Sequence, residues 1–169
     1  DGEKLADKRK DGPSTFLGML VAGFPNLLLP SGPQSGSAST NYPRAIEIGV
    51  DWCTGLLEYM GAHGHDRVEA TRAAEERWTR HVTEMYGMML MRKAKSWFTG
   101  YNSNVDRTYR NRCLICAGGQ IRYRNFLEQE RSTGYPSFTF RFSAQGTKDG
   151  QRHEESSRKI ASDVASARQ

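Results

Sequence analysis

Two stretches of this sequence put chemistry-bearing groups where regular structure is hard to build. In Gly32-Pro33-Gln34-Ser35-Gly36-Ser37-Ala38-Ser39-Thr40-Asn41 there is almost no large apolar side chain, and Gly32 and Gly36 allow backbone angles that other residues avoid. Such a loop, set between an apolar run and a helix start, can aim free backbone N–H groups and hydroxyls at the polar edge of a cofactor. A plain surface loop is the competing reading. The second stretch, Ser96-Trp97-Phe98-Thr99-Gly100-Tyr101-Asn102, sets three aromatics in a polar, Gly-containing segment. Aromatics on a loop cover something, either the protein's own core or a ligand.

The remaining candidates are weaker. Cys113-x-x-Cys116 has a metal or redox spacing, but a second ligand pair is missing, and in a strand these positions point to opposite faces. Core packing is favoured. His63-Gly64-His65 lacks a third ligand and reads as an exposed turn, so no metal is expected. Met85, Met88, Met89 and Met91 suit adaptable packing. No Gly-x-Gly-x-x-Gly, phosphate-binding lysine loop, His-Glu-x-x-His or Gly-x-Ser-x-Gly is present, so no catalytic residue is assigned to this chain.

The elements that must position these groups are mostly helical. From Pro43 to Ala62 a helix is expected, capped near Asn41 or Tyr42, with Ile46, Val50, Leu57 and Met60 as its core-facing stripe. A second helix is expected from Thr71 to about Met91, with Trp78, Val82, Met85 and Met89 inward, and a third from Ile121 to Arg131. Short strands are expected at Phe16–Val21, Leu27–Leu29, Cys113–Ala117 and Phe138–Phe142. Residues 143–169 offer little beyond Ile160 and Val164 to bury and read as a polar, flexible tail.

Composition sets the outer limits. The 169 residues are 37% hydrophobic and 25% charged, with a mean hydropathy of -0.70, enough for one modest core. The formal charge of +5 is spread among acidic neighbours, so nucleic acid is not expected as a partner. No stretch approaches the roughly 18 apolar residues of a membrane span. Three cysteines suggest free thiols in a reducing compartment, hence the cytoplasm. The charged opening from Asp1 to Lys10 reads as the start of a fragment.

Taken in order and register, the segments from about Leu5 to Phe140 resemble the Baeyer–Villiger branch of the class B flavoprotein monooxygenases. The likeness is carried by Asp11-Gly12-Pro13-x-x-Phe16-Leu17-Gly18, Gly23-Phe24-Pro25-Asn26-Leu27, and Gly32-Pro33-x-Ser35-x-Ser37 with Asn41 following. Val50-Asp51-Trp52, Glu69-Ala70-Thr71 with Glu75 and Trp78, and Ser96-Trp97-Phe98-x-Gly100-x-Asn102 continue it, and Gly118-Gly119, Arg122-Tyr123-Arg124 and Gly134-Tyr135 complete it. The resemblance implies an α/β fold: the C-terminal part of a flavoprotein with two Rossmann-type dinucleotide-binding domains, mostly helical with a few short strands in this portion. Residues 1–42 would end the FAD-binding domain, 43–142 would form its helical and lid region, and 143–169 the tail.

It also implies an enzyme that uses FAD, NADPH and molecular oxygen to convert a ketone to an ester or lactone. Gly32, Pro33, Gln34, Ser35, Gly36, Ser37, Asn41 and Tyr42 would then border the cofactor, with the backbone near Tyr42 at the flavin's pyrimidine edge. Ala38, Ser39 and Thr40 would reach the substrate pocket, and Trp97 would close over the nicotinamide cofactor. The Gly-rich fingerprints and the arginine expected to assist the oxygen step would lie upstream of Asp1, in an N-terminal dinucleotide-binding region that acts as the missing partner, so the chain alone is expected to be inactive. Departures from the family pattern fall at Arg9, Gly36, Ser39 and the run Asn102-Ser103-Asn104-Val105-Asp106. The last resembles a subgroup acting on bulky or macrocyclic ketones, and Asp106 weakens any phosphate contact there. The alternative is a stand-alone, non-catalytic binding module built on the same scaffold.

Overall fold

The computed structural model describes residues 2–36, 41–104 and 111–142. A short helix α1 (Leu5–Lys8) precedes an irregular segment, followed by helix α2 (Tyr42–Ala62), strand β1 (His65–Ala70), helix α3 (Arg72–Gly87), helix α4 (Gln120–Ser132) and strand β2 (Phe138–Phe142).

Helix α2 begins where the Asn41 side chain accepts from the Arg44 N–H, with Pro43 in the first turn, where a missing N–H costs nothing. Its inward face is Ala45, Gly49, Trp52, Cys53, Leu56 and Met60. The expected stripe is therefore corrected: Met60 is buried, but Ile46, Val50 and Leu57 are 41%, 45% and 53% exposed. The reason is a close crossing at Gly49, where a Cβ would run into the Pro30 carbonyl oxygen. The Trp52 indole N–H then reaches the Leu127 carbonyl at 2.9 Å and fixes the rotation of α2.

Strand β1 was not expected, and its sequence shows why: in His-Asp-Arg-Val-Glu-Ala only Val68 and Ala70 are buried. It pairs antiparallel with β2, Val68 opposite Phe140 and Ala70 opposite Phe138. Asn26 satisfies its outer edge, donating its backbone N–H to the Val68 carbonyl and accepting from the Val68 N–H through Oδ1, both at 2.9 Å. His65 thus belongs to the strand rather than to a free turn, its ring stacked on Phe140.

The other three expected strands are absent among the described residues. Phe16–Val21 folds back on itself in a tight turn, with Leu17 and Gly18 both at positive φ and Phe16 bonded to Leu20 in both directions. At Leu27–Leu29 no strand lies alongside, and the Leu29 N–H goes instead to the Met19 carbonyl. Cys113–Ala117 is extended but is shared between two loops, so no ladder forms. Helix α3 ends at Gly87 rather than Met91, and a short 3-10 turn, Leu90–Lys93, follows. Residues 143–169 lie outside the described residues.

One core joins all of this. Phe16, Leu17 and Leu20 from the turn pack with Trp52 and Leu56 of α2, Val68 of β1, Trp78 and Val82 of α3, Tyr123 and Leu127 of α4, and Phe138 of β2. Edge-on aromatic contacts at Phe16–Phe138 and Trp52–Tyr135, with centroids 5.4 and 5.7 Å apart, tie the turn to β2 and α2 to the segment that leads into it.

Candidate functional site

The loop from Gly32 is built into the core before it offers anything to a ligand. Gln34 is only 2% exposed and sits at φ +67°, a left-handed conformation unusual for a non-glycine residue. Its Oε1 accepts from the Thr15 N–H at 3.1 Å, and its Nε2 donates to the Pro13 carbonyl at 3.2 Å. Its backbone carbonyl accepts the Trp78 indole N–H at 3.2 Å, while the Thr15 hydroxyl donates to the Pro33 carbonyl at 2.9 Å. The Gln34 side chain is a brace, holding Pro33 and Ser35 in place.

The loop's glycines are accounted for in the same way. A Cβ at Gly32 would stand 2.5 Å from the Gly18 carbonyl oxygen, and one at Gly36 2.5 Å from Cγ of Tyr123. Tyr123 in turn donates its buried hydroxyl to the Leu17 carbonyl at 2.6 Å, and burial pushes its ionisation well above the usual phenol range. The space a side chain would take at Gly32 and Gly36 is thus occupied by Gly18 and Tyr123. Asn41 caps α2, and Tyr42 is 47% exposed at its first turn. Ser37, Ala38, Ser39 and Thr40 lie outside the described residues.

Trp97 opens a 3-10 turn, Trp97–Thr99, and is 71% exposed. The turn is closed by its own hydrogen bonds. Ser96 Oγ accepts from the Phe98 N–H, Thr99 Oγ1 accepts from the Ser96 N–H, and Gly100 at φ +82° closes it. Thr99 is fully buried, so the indole is held out on a fixed stalk.

One segment joins the loop to this turn, and its role could not be read from the sequence. Along Arg112–Cys116, the Arg112 N–H donates to the Thr99 carbonyl at 3.0 Å and the Leu114 N–H to the Phe98 carbonyl at 3.4 Å. Further along, the Leu114 carbonyl accepts from the Gln34 N–H at 2.8 Å, and the Cys116 N–H donates to the Ser35 carbonyl at 2.9 Å. The segment is a strut: Arg112 and Leu114 bond the Trp97 turn, and Leu114 and Cys116 bond the Gln34 loop. Its cysteines pack rather than react. Burial raises Cys113, like Cys53 in α2, from 9.0 to about 11, and raises Cys116 as well.

Among the described residues, the Gln120 carboxamide, one turn before Tyr123 on α4, has both Nε2 and Oε1 enclosed without a hydrogen-bond partner, and Nε of Arg112 in the strut is enclosed without one as well. Among the described residues no group of three or more His, Cys, Asp or Glu is placed to hold a metal ion. His63 and His65 are used in aromatic stacking, with ring centroids 6.1 Å apart. No helix among the described residues is long and apolar enough to cross a membrane. A cavity of about 830 Å³ between α1 and α3, edged by Glu3, Lys10, Arg72 and Arg80, involves none of the loop or Trp97 residues.

No family model matches the chain. It is 37% identical over 137 residues to a phenazine N-monooxygenase of Lysobacter antibioticus, covering 81% of this chain and 24% of that protein. It is 31% identical over 138 residues to a cyclohexanone 1,2-monooxygenase of an Acinetobacter species, covering 82% of this chain and 24% of that protein. In structure it resembles the monooxygenase OTEMO in complex with FAD and NADP, with a TM-score of 0.75 and 32% identity over 83% of this chain and 25% of that one. The chain thus spans about a quarter of the length of the proteins it matches.

Proposed function

The chain belongs to the Baeyer–Villiger family of flavoprotein monooxygenases, of whose members it spans about a quarter, and from that premise we propose that it is the cofactor-edge and lid portion of such an enzyme. The cofactors proposed are FAD and NADPH, and the reaction is insertion of an oxygen atom from O2 beside a ketone carbonyl. When bound, the reduced flavin supplies the oxygen activation. The observation that carries the reading is the strut, because Arg112–Cys116 ties the Gln34 loop and the Trp97 turn into one frame.

The residues present fit this role. The loop's own backbone is braced by Gln34 and Tyr123, which supports a fixed position for it beside the cofactor. The backbone near Tyr42, at the start of α2, is proposed to meet the flavin, and the exposed Trp97 side chain the nicotinamide cofactor. Gly32, Pro33, Ser35 and Gly36 are proposed to contribute backbone, Gln34 to position them and Ser37 to join them at the cofactor, and Ala38, Ser39 and Thr40 are proposed for the substrate side. With Trp97 docked over the cofactor, water would be excluded from the reacting centre, and indole N–H donation to a ribose or phosphate oxygen would hold the lid shut.

The proposed substrate class is a ketone, with the bulky or macrocyclic class favoured by the Asn102–Asp106 run, of which Val105 and Asp106 lie outside the described residues. The similarity to a phenazine N-monooxygenase supports a second substrate class, an aromatic ring nitrogen. The cytoplasm is the proposed compartment. Residues 1–42 are proposed to end the FAD-binding domain and 43–142 to form the lid region. Alone, the chain is proposed to be inactive, since no Gly-x-Gly-x-x-Gly is present in it. The test is to add FAD, NADPH and cyclohexanone to the isolated chain: the expected result is neither stoichiometric flavin binding nor ketone-dependent NADPH oxidation. Turnover would overturn the proposed incompetence.

A further inference from the structure

Helices α3 and α4 meet through rings rather than through small side chains. Trp78 and His81 lie one turn apart on α3, and Phe126 of α4 is edge-on to both, with ring centroids 5.3 Å and 5.1 Å away. Bulky edge-on rings hold two helices apart, and a cavity of about 280 Å³ opens beside them. Its deep end is formed by the buried Phe16, Leu17 and Trp78. His81 also lines it, and the ring's Nε2 is enclosed without a hydrogen-bond partner among the described residues. A polar atom shut away from water and left unpaired is costly, so this imidazole calls for a partner that the described residues do not supply.

We propose that this cavity binds a small, neutral, one-ring hydroxyarene, a molecule of the phenol class, with its ring against Trp78 and Phe126 and its hydroxyl on His81 Nε2. Size sets the first limit: a cavity of roughly 150 Å³ already admits a benzene ring, and sites for drug-sized ligands begin at about 300 Å³, so one ring with a short substituent is the fit. The hydroxyl follows from the imidazole. Nε2 donates in one tautomer and accepts in the other, and a hydroxyl answers both, whereas a carbonyl or an ammonium answers only one. Neutrality follows from the mouth, where Arg77 and Glu130 bring one cation and one carboxylate to the same hydroxyl. Glu130 accepts from the Ser137 N–H at 3.3 Å and from the Ser137 hydroxyl at 2.8 Å, and Arg77 Nη2 lies 3.3 Å from the Ser137 Oγ as donor. Their charges offset, so a charged ligand would gain no net attraction there in return for leaving water. The site does not rest on the family reading. Trp78 ties it to the Gln34 loop, because the same indole donates its N–H to the Gln34 carbonyl at 3.2 Å.

The test is a titration of the isotope-labelled full chain with phenol, toluene and benzoate, followed by NMR at the Trp78 indole N–H and the His81 ring. Phenol is expected to shift both sets of resonances and to saturate below about 10 mM. Toluene, which has the ring without the hydroxyl, is expected to bind roughly tenfold more weakly, because it leaves Nε2 unpaired. His81→Phe keeps a ring in the wall and should remove that preference, so that phenol and toluene bind alike. Were this variant not to fold, the phenol-to-toluene ratio of the unaltered chain would decide alone. Equal binding of the two by the unaltered chain overturns the contact with His81. Benzoate binding more tightly than phenol overturns the neutral class and makes the cavity an anion site. Shifts confined to Trp97 and its turn, or no saturation with phenol, overturn the site itself and leave the cavity to water.

Discussion

Gln34 combines two costs that its surroundings repay, and the two can be separated by substitution. The left-handed backbone at φ +67° is unfavourable for any side chain, while the carboxamide bonds the Thr15 N–H and the Pro13 carbonyl in a site that is 2% exposed. Gln34→Ala keeps the strained backbone and strands two buried polar groups, so a loss of about 2–4 kcal/mol is expected in urea unfolding. Gln34→Gly strands the same groups but removes the strain, and should be less damaging by about 1 kcal/mol. If the two variants were equally unstable, the backbone conformation would not be the second cost.

Cysteine protonation provides another residue-level test. Burial raises Cys53 and Cys113 from 9.0 to about 11, which means the folded state holds the thiol proton more tightly than the unfolded state. The stability this represents is complete below about pH 9 and is lost as pH rises towards 11. Thermal melting temperature should therefore fall across that window. At pH 8 a thiol reagent should react slowly with the native chain and with all three cysteines once it is unfolded.

At the scale of elements, Glu75 of α3 holds α1 against the buried turn that ends at Ala22. It pairs with Lys8 of α1 at 2.8 Å and accepts from the Ala22 N–H at 3.1 Å. Because α1 has only four residues, from Leu5 to Lys8, it gives way before the core does. Glu75→Gln keeps an acceptor for Ala22 but removes the charge facing Lys8, so the expected outcome is trypsin cleavage after Lys8 or Arg9 roughly tenfold faster, with the main melting transition little changed. A large fall in the melting temperature would instead make the pair part of the core. At α2, Asn41→Ala should cost about 1 kcal/mol by removing the cap on the Arg44 N–H.

How far these elements were legible depended on whether the signal was local. The three long helices were read to within a few residues, because Asn41, Pro43 and Thr71 act on their own helix starts, whereas the end of α3 at Gly87 was overrun to Met91. The face that α2 buries was misread because its apolar arc has two flanks, and which one meets the core is decided at Gly49 by Pro30, a residue on another segment. Strand β1 went unseen because five of its six residues alternate without a strong apolar signal, and its pairing comes from β2 some seventy residues later. Of the candidate site, the loop and the aromatic turn were visible as composition. The strut was not, since a segment that bonds two loops reads in sequence like a buried strand.

At the scale of the whole molecule, the irregular first segment and the later helices share one core, and this has a consequence for unfolding. The Tyr123 hydroxyl of α4 is bonded to the Leu17 carbonyl, the Trp78 indole of α3 to the Gln34 carbonyl, and Phe16 lies edge-on to Phe138 of β2. None of these partners can be removed without exposing the other, so residues 16–34 have no independent way to unfold. The described chain should therefore melt in a single transition, with calorimetric and van't Hoff enthalpies in agreement. Tyr123→Phe should lower its stability by about 1–3 kcal/mol, because the Leu17 carbonyl is left buried without its donor. It should lower it as one transition still, since the ring that supports Gly36 is retained. If Tyr123→Phe instead split the melt in two, with the loop segment released first, the Leu17 bond would be the only tie between that segment and the helices, and the shared core would be a mere contact surface.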